Sequence, residues 1–185
     1  MNLVVADIKM QRENNCTVLT SRRCDTDMTV TTSYQCTWCG KQAPQEGILT
    51  TCECGKPLTV VFDWGTTNPD RSNIPGEDKS LWRYREVLPP IDNDHIVSLD
   101  EGWTPLIPTP TLGATIGCAN LLAKDEGRNP SGTFKDRGCS VAITRYREMG
   151  VETIIHNSSG NAGGAMALYA ARAGIRCVNL LPDDV

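Results

Sequence analysis

The residues with chemistry to offer fall in three short runs. The first is Asn129-Pro130-Ser131-Gly132-Thr133-Phe134-Lys135-Asp136-Arg137-Gly138, which opens as a turn and enters a helix. Thr133 suits the helix N-cap, and Asp136 three residues on gives a capping-box-like arrangement. Lys135 then lies in the first turn, where the helix dipole is positive and disfavours a second positive charge. An amine that gives up its proton there can attack an aldehyde and form a Schiff base. The second run pairs Cys36-Thr37-Trp38-Cys39-Gly40 with Cys52-Glu53-Cys54-Gly55, twelve residues lying between the pairs. Four thiolates on two tight turns meet the tetrahedral demand of zinc, and with every corner a cysteine the metal is structural. The third run, Asn157-Ser158-Ser159-Gly160-Asn161-Ala162-Gly163, joins a strand to a helix. Main-chain N–H groups at such a helix start form an anion site without any basic side chain.

Each run also has an ordinary reading. Lys135 could be a solvated lysine paired with Asp136. The cysteines could be a metal-free or disulfide-bonded remnant, although two paired sets are more than a single redox exchange site needs. The third run could be a plain strand-to-helix turn with serine caps. His156 stands at a strand end, where a lone histidine is more often structural, and His95 lies in a polar connector.

The elements that must position these runs follow from period and punctuation. Residues 1–32 are polar, without sustained period, and are expected to be a flexible tail. Residues 33–65 hold the cysteines and a β-prone run, Leu58-Thr59-Val60-Val61-Phe62. Residues 66–98 are a connector with a short helix from Ser80 to Leu88, capped by Ser80 and stopped by Pro89-Pro90. From 99 to 185 strand and helix alternate: strands at 119–124, 152–156 and 175–181, and helices at 133–149 and 161–173. Cys139, Ala142, Ile143 and Tyr146 fall on one face of the first of these helices. A β-α-β-α-β order with short connections implies an α/β fold of parallel strands covered by helices, with both loops at the carboxyl ends of strands.

Composition narrows the partners. The net charge of −4 argues against nucleic acid as the main partner, and no Lys/Arg run offsets it. No stretch of roughly 18 apolar residues is present to span a membrane, and the first residues lack the apolar core of a secretion signal. Nine cysteines, four of them clustered, fit a reducing compartment with one metal cluster better than a disulfide framework. The expected localisation is cytoplasmic.

The Lys135 run closely resembles the N-P-[ST]-G-[ST]-F-K-D-R motif of fold-type II pyridoxal phosphate enzymes, and of threonine synthases in particular. Leu99-Asp100-Glu101-Gly102-Trp103-Thr104-Pro105-Leu106 resembles the L-x-E-G-x-T-P-L segment of the same family, and Ser158 to Asn161 its S-[ST]-G-N loop. The cysteine spacing resembles a zinc ribbon. The resemblance covers roughly 33–185 and implies part of a three-layer α/β/α domain like that of the tryptophan synthase β subunit, preceded by a ribbon with structural zinc on Cys36, Cys39, Cys52 and Cys54. It implies that Lys135 carries pyridoxal 5'-phosphate and that Asn161 contacts the cofactor ring oxygen. By the same carry-over, Ser158, Ser159, Gly160 and Ala162 bind the carboxylate of a small amino-acid substrate. The activity implied is conversion of O-phosphohomoserine and water to threonine and phosphate. A cysteate synthase, an ammonia-lyase, a zinc-ribbon binding module or a non-catalytic cofactor-binding relative are the alternatives. The family's glycine-rich phosphate loop and pyridine-nitrogen partner have no counterpart here. A fragment, inactive by itself and completed by a C-terminal half or by a second copy in a homodimer, is therefore expected.

Overall fold

A computed structural model describes residues 30–43, 49–64 and 70–183. They divide into two compact units, one holding the described residues of 30–74 together with 84–90, the other holding 75–83 and 91–183. In the first unit, β1 (Thr31–Cys36) pairs antiparallel with β2 (Gln42–Ala43) on one side and with β3 (Leu58–Asp63) on the other. Thr31 and Thr32, grouped with the tail on composition, are the first two residues of β1. The rest of that tail, 1–29, lies outside the described residues.

The second unit runs β4 (Leu106–Pro108), α1 (Pro110–Thr115), β5 (Leu122–Lys124), α2 (Lys135–Glu148), β6 (Thr153–His156), α3 (Asn161–Ala173) and β7 (Arg176–Asn179). β6 and β7 pair in parallel, in register from Thr153↔Arg176 to His156↔Asn179. Gly174, in the left-handed region at φ 74°, ends α3 and lets the chain turn into β7. The core lies where α2 meets α3: Cys139 and Ile143 of one helix pack with Ala165, Tyr169 and Ala170 of the other, together with Val97 and Ile175. Of the apolar face read from the sequence at Cys139, Ala142, Ile143 and Tyr146, the residues Cys139, Ile143 and Tyr146 pack there.

Two details differ from expectation. β5 pairs antiparallel with β4, Leu106↔Lys124 through Pro108↔Leu122, so of the three expected parallel strands β6 and β7 alone pair that way among the described residues. The signal for β4 and α1 was present but short: three residues of strand, then a proline at the first helical position. The Ser80–Leu88 helix is a tight three-residue-per-turn helix over Leu81–Val87, kinked at Tyr84. Ser80 does cap it, its Oγ accepting from the Trp82 N–H at 3.1 Å.

Buried polar contacts fasten the loops to the helices. The Trp82 indole N–H donates to Ser140 Oγ on α2, Ser140 Oγ donates to the Val97 carbonyl, and the Val97 N–H donates to Thr144 Oγ1, each at 2.9 Å. Glu101 is fully buried and accepts from the Leu99 N–H, the Ser98 hydroxyl and the hydroxyl of Tyr169 on α3, the last at 2.9 Å.

A second carboxylate, Glu126, organises the lysine segment. Arg137 donates to both of its oxygens, at 2.7 and 2.8 Å, in the fork geometry that guanidinium favours. The Thr104 hydroxyl and the Asn129 amide donate to the same carboxylate at 2.7 and 3.0 Å. Arg137 also donates to the Gly102 carbonyl, and the Gly102 N–H donates to Asn129 Oδ1. Gly102 has φ 120°, and a Cβ there would stand 3.0 Å from the Leu81 nitrogen and 3.3 Å from the Arg137 guanidinium, so no side chain fits. The 99–106 segment and the lysine segment are thus one knot.

Arg137→Met keeps the stem and removes the fork, leaving Glu126 with an uncompensated charge. Urea denaturation should show a loss of about 2–3 kcal/mol. Arg137, foremost among its partners, holds the Glu126 carboxyl down at about 2 from an ordinary 4.5. A depressed carboxyl stabilises the fold above its unfolded value and stops doing so as pH falls through its folded one. Stability should therefore decline from about pH 4.5 towards pH 2, and this segment of the acid-unfolding curve should flatten in Arg137→Met.

Candidate active site and metal centre

Lys135 is the first residue of α2 and half-buried. Thr133 Oγ1 accepts from its backbone N–H at 3.1 Å, so Thr133 does serve the helix start, although the helical residues begin two positions later than the sequence suggests. The capping box does not form as expected. The fully buried Asp136 carboxylate instead accepts from the N–H of Ser131 at 2.7 Å and from its hydroxyl, because the turn at Gly132, φ 78°, folds Ser131 back over the helix start. Asp136 is thereby committed to the turn and does not pair with the neighbouring lysine. Among the described residues no carboxylate forms an ion pair with Lys135, whose Nζ lies 4.5 Å from the centre of the Phe134 ring.

The second loop leaves β6 and enters α3 at Asn161. Gly160 precedes the helix in extended conformation, and no side chain caps the helix. The N–H groups of the first turn therefore have no acceptor within the helix and face outward. Ser159, Gly160 and Asn161 are exposed, whereas Ser158 and Ala162 are half-buried. Gly163 is buried, and a Cβ there would stand 2.2 Å from the Ser158 carbonyl oxygen. Short connections on either side of β6 make α2 and α3 both run opposite to that strand. Lys135 and the Ser158–Ala162 loop consequently lie at the end of the unit where β6 and β7 finish, which is where open α/β sheets receive ligands.

In the first unit, Cys36, Cys39, Cys52 and Cys54 place their sulfurs within 4.8 Å of one another. The distances Cys36–Cys54, Cys39–Cys52 and Cys39–Cys54 are 3.5, 3.8 and 3.9 Å. A disulfide would require about 2.0 Å, so the thiols are free. Four sulfurs each about 2.3 Å from one tetrahedral zinc would stand roughly 3.8 Å apart. The donor set therefore fits a metal of this kind. Gly40 at φ 70° and Gly55 at φ 76° occupy left-handed turns, as the glycine after each pair suggests. The N–H groups of Cys39 and Trp38 point at Cys36 Sγ, each at 3.4 Å, and lower its pKa to about 6. On Cys54 the Lys56 N–H acts in the same direction, but the sulfurs of Cys36, Cys52 and Cys39, together with partial burial, outweigh it and push the thiol up to about 12. A group of thiols that cannot all ionise alone is a group that a divalent cation would ionise.

The residues that sequence reasoning passed over are the supports. Thr104 and Arg137 were inside the quoted segments and Glu126 three residues ahead of one, but charge pattern alone does not say that Arg137 reaches back eleven residues to Glu126. His156 and Asn179, opposite one another at the end of the parallel pair, carry no sequence signal beyond being polar residues in apolar strands.

Comparison with known proteins agrees with this geometry. A family of pyridoxal-phosphate dependent enzymes matches residues 97–185. A threonine synthase of Methanocaldococcus jannaschii is 41% identical over 151 residues, 80% of this chain and 37% of its own length. That of Methanosarcina acetivorans is 38% identical over 149 residues, 80% of this chain and 36% of its own. A threonine synthase of Synechocystis sp. is 42% identical over 115 residues, 59% of this chain and 30% of its own. The chain thus spans little more than a third of the length of these relatives. The matched range 97–185 includes the positions of Glu126, Lys135, Arg137 and the strand-to-helix loop. Residues 97–185 of this chain are thus similar to the pyridoxal-phosphate dependent enzyme family.

Proposed function

We propose that the protein is a pyridoxal phosphate-dependent lyase of amino-acid biosynthesis, acting in the threonine synthase reaction on O-phosphohomoserine and water to give threonine and phosphate. The observation that carries this reading is the amine of Lys135, half-buried at the head of α2 and without a carboxylate partner, because the adjacent Asp136 is engaged by Ser131. A lysine kept for solvation would not be given so firm a socket. The reading covers binding of cofactor and amino acid by these residues, and turnover is proposed for the relatives' full length.

In this reading Lys135 holds the cofactor through Nζ and, when displaced, carries protons at that atom. Asn161, exposed at the first position of α3, presents its amide to the cofactor ring oxygen. Ser158, Ser159, Gly160 and Ala162 bind the substrate carboxylate through their hydroxyls and main-chain N–H groups, an anion at a helix start. When bound, pyridoxal phosphate supplies an electron sink for negative charge developing on the amino-acid carbon. The knot of Arg137 and Glu126 fixes where Lys135 leaves the backbone, and it does so without contributing a group to the reaction. Cys36, Cys39, Cys52 and Cys54 hold a structural zinc ion. All seven described cysteines are free thiols, which supports a reducing, cytoplasmic setting.

Addition of pyridoxal phosphate should produce a visible absorbance band that Lys135→Ala abolishes and Arg137→Lys weakens. O-phosphohomoserine should shift the band, and Ser159→Ala should raise the concentration needed by about tenfold. A band that survives Lys135→Ala would remove the proposal. For the metal, elemental analysis of protein purified under reducing conditions should find one zinc per chain, and none in the double variant Cys36→Ser with Cys54→Ser. Because protons compete for the thiolates, zinc should be released as pH falls and retained as it rises.

A further inference from the structure

Two polar atoms at the end of the parallel strand pair are buried without a partner among the described residues: Nδ1 of His156 and Oδ1 of Asn179. Such atoms are rare in folded proteins and cost free energy. Here they are neighbours. His156 and Asn179 are register partners, the last of the β6–β7 ladder, and register partners project on the same face of a sheet. That face is the one α3 covers, because Asn179 Nδ2 donates to the Gly163 carbonyl oxygen in the first turn of α3, at 3.3 Å. The orientation of the Asn179 amide is therefore fixed by chemistry: reversed, it would set one carbonyl oxygen against another. Its Oδ1 is left buried without a donor, beside a register partner whose Nδ1 is also unpartnered.

We propose that His156 is that donor, carrying its hydrogen on Nδ1 and giving it to Asn179 Oδ1 after a small side-chain rotation. The two residues form a positioning relay, His156 to Asn179 to the Gly163 carbonyl, which sets the first turn of α3. The packing shows why this turn needs an outside hold. Gly163 sits so close that a Cβ would meet the Ser158 carbonyl oxygen at 2.2 Å and Asn179 Nδ2 at 3.4 Å, and α3 has no side-chain cap of its own. Glycine gives closeness but not rigidity, since it has the widest backbone freedom. The Asn179 amide supplies what Gly163 lacks. Neither residue touches the proposed ligands; they act on the Ser158–Ala162 loop through the backbone. The importance of the relay for ligand binding rests on the proposed carboxylate role of that loop, whereas its existence does not.

The test is made on the chain without cofactor, so it stands whether or not Lys135 binds one. The protein has two histidines, His95 and His156, so the nitrogen-15 spectrum of the ring atoms is assigned with a single His95→Gln variant. His156 should show the Nδ1–H tautomer at neutral pH. In Asn179→Leu it should revert to Nε2–H, the form favoured in water, and the amides of 158–163 should exchange at least about tenfold faster while those of 140–146 in α2 do not change. Asn179→Asp keeps the shape and the acceptor but loses the donor. It should keep the Nδ1–H tautomer while losing the loop's protection, so the proposal stays testable if the leucine variant does not fold. An Nε2–H tautomer in the unmodified protein, as a water donating to both atoms would give, overturns the relay. So does unchanged exchange across 158–163 in Asn179→Asp.

Discussion

The ion pair between Arg137 and Glu126 is the constraint from which the rest of the second unit takes its shape. Glu126 stands on a short turn before the lysine segment and Arg137 inside the first turns of α2, so their pairing closes the loop that delivers Lys135. Both side chains are mostly buried, and each has further partners: Thr104 and Asn129 on the carboxylate, the Gly102 carbonyl on the guanidinium. A mostly buried pair with further hydrogen bonds is stable in a way that a bare pair is not, because the cost of desolvation is shared among several hydrogen bonds. The pair also draws the 99–106 segment onto α2. Trp82, Ser140 and Thr144 then secure the preceding stretch from the other side.

Charge is used here to hold backbone, not to meet substrate. Glu101, Glu126 and Asp136 are each engaged by neutral or cationic donors of the scaffold. Lys135 is left with its Nζ 4.5 Å from the centre of the Phe134 ring. Such an arrangement keeps the amine available, since breaking a contact with a ring face is easier than breaking an ion pair. The cysteine unit achieves its order differently. Its strands are short and its apolar content small, and the four sulfurs stand where hydrophobic side chains would stand in a larger domain.

Local features were legible in the sequence to the extent that they were local. The helix at 161–173 and its glycine stop, the apolar face of α2 and the glycine turns after each cysteine pair are set by residues within a few positions of one another. The pairing of β5 was not legible, because three residues with no alternating pattern can pair with any neighbour, and the choice of β4 is made by the intervening α1. The capping box failed for a related reason. Asp136 can reach the Thr133 N–H or the Ser131 N–H, and which one it takes depends on the left-handed Gly132 between them. Reciprocal contacts across dozens of residues, such as Tyr169 with Glu101, leave no mark in a single sequence.

The tight approach of Gly163 to Ser158 has an evolutionary corollary. Any larger residue at 163 collides with main chain, which cannot move aside as a side chain can, so substitution elsewhere in the loop is open while this position stays glycine. The exposed Ser159 and Asn161 meet no such steric limit.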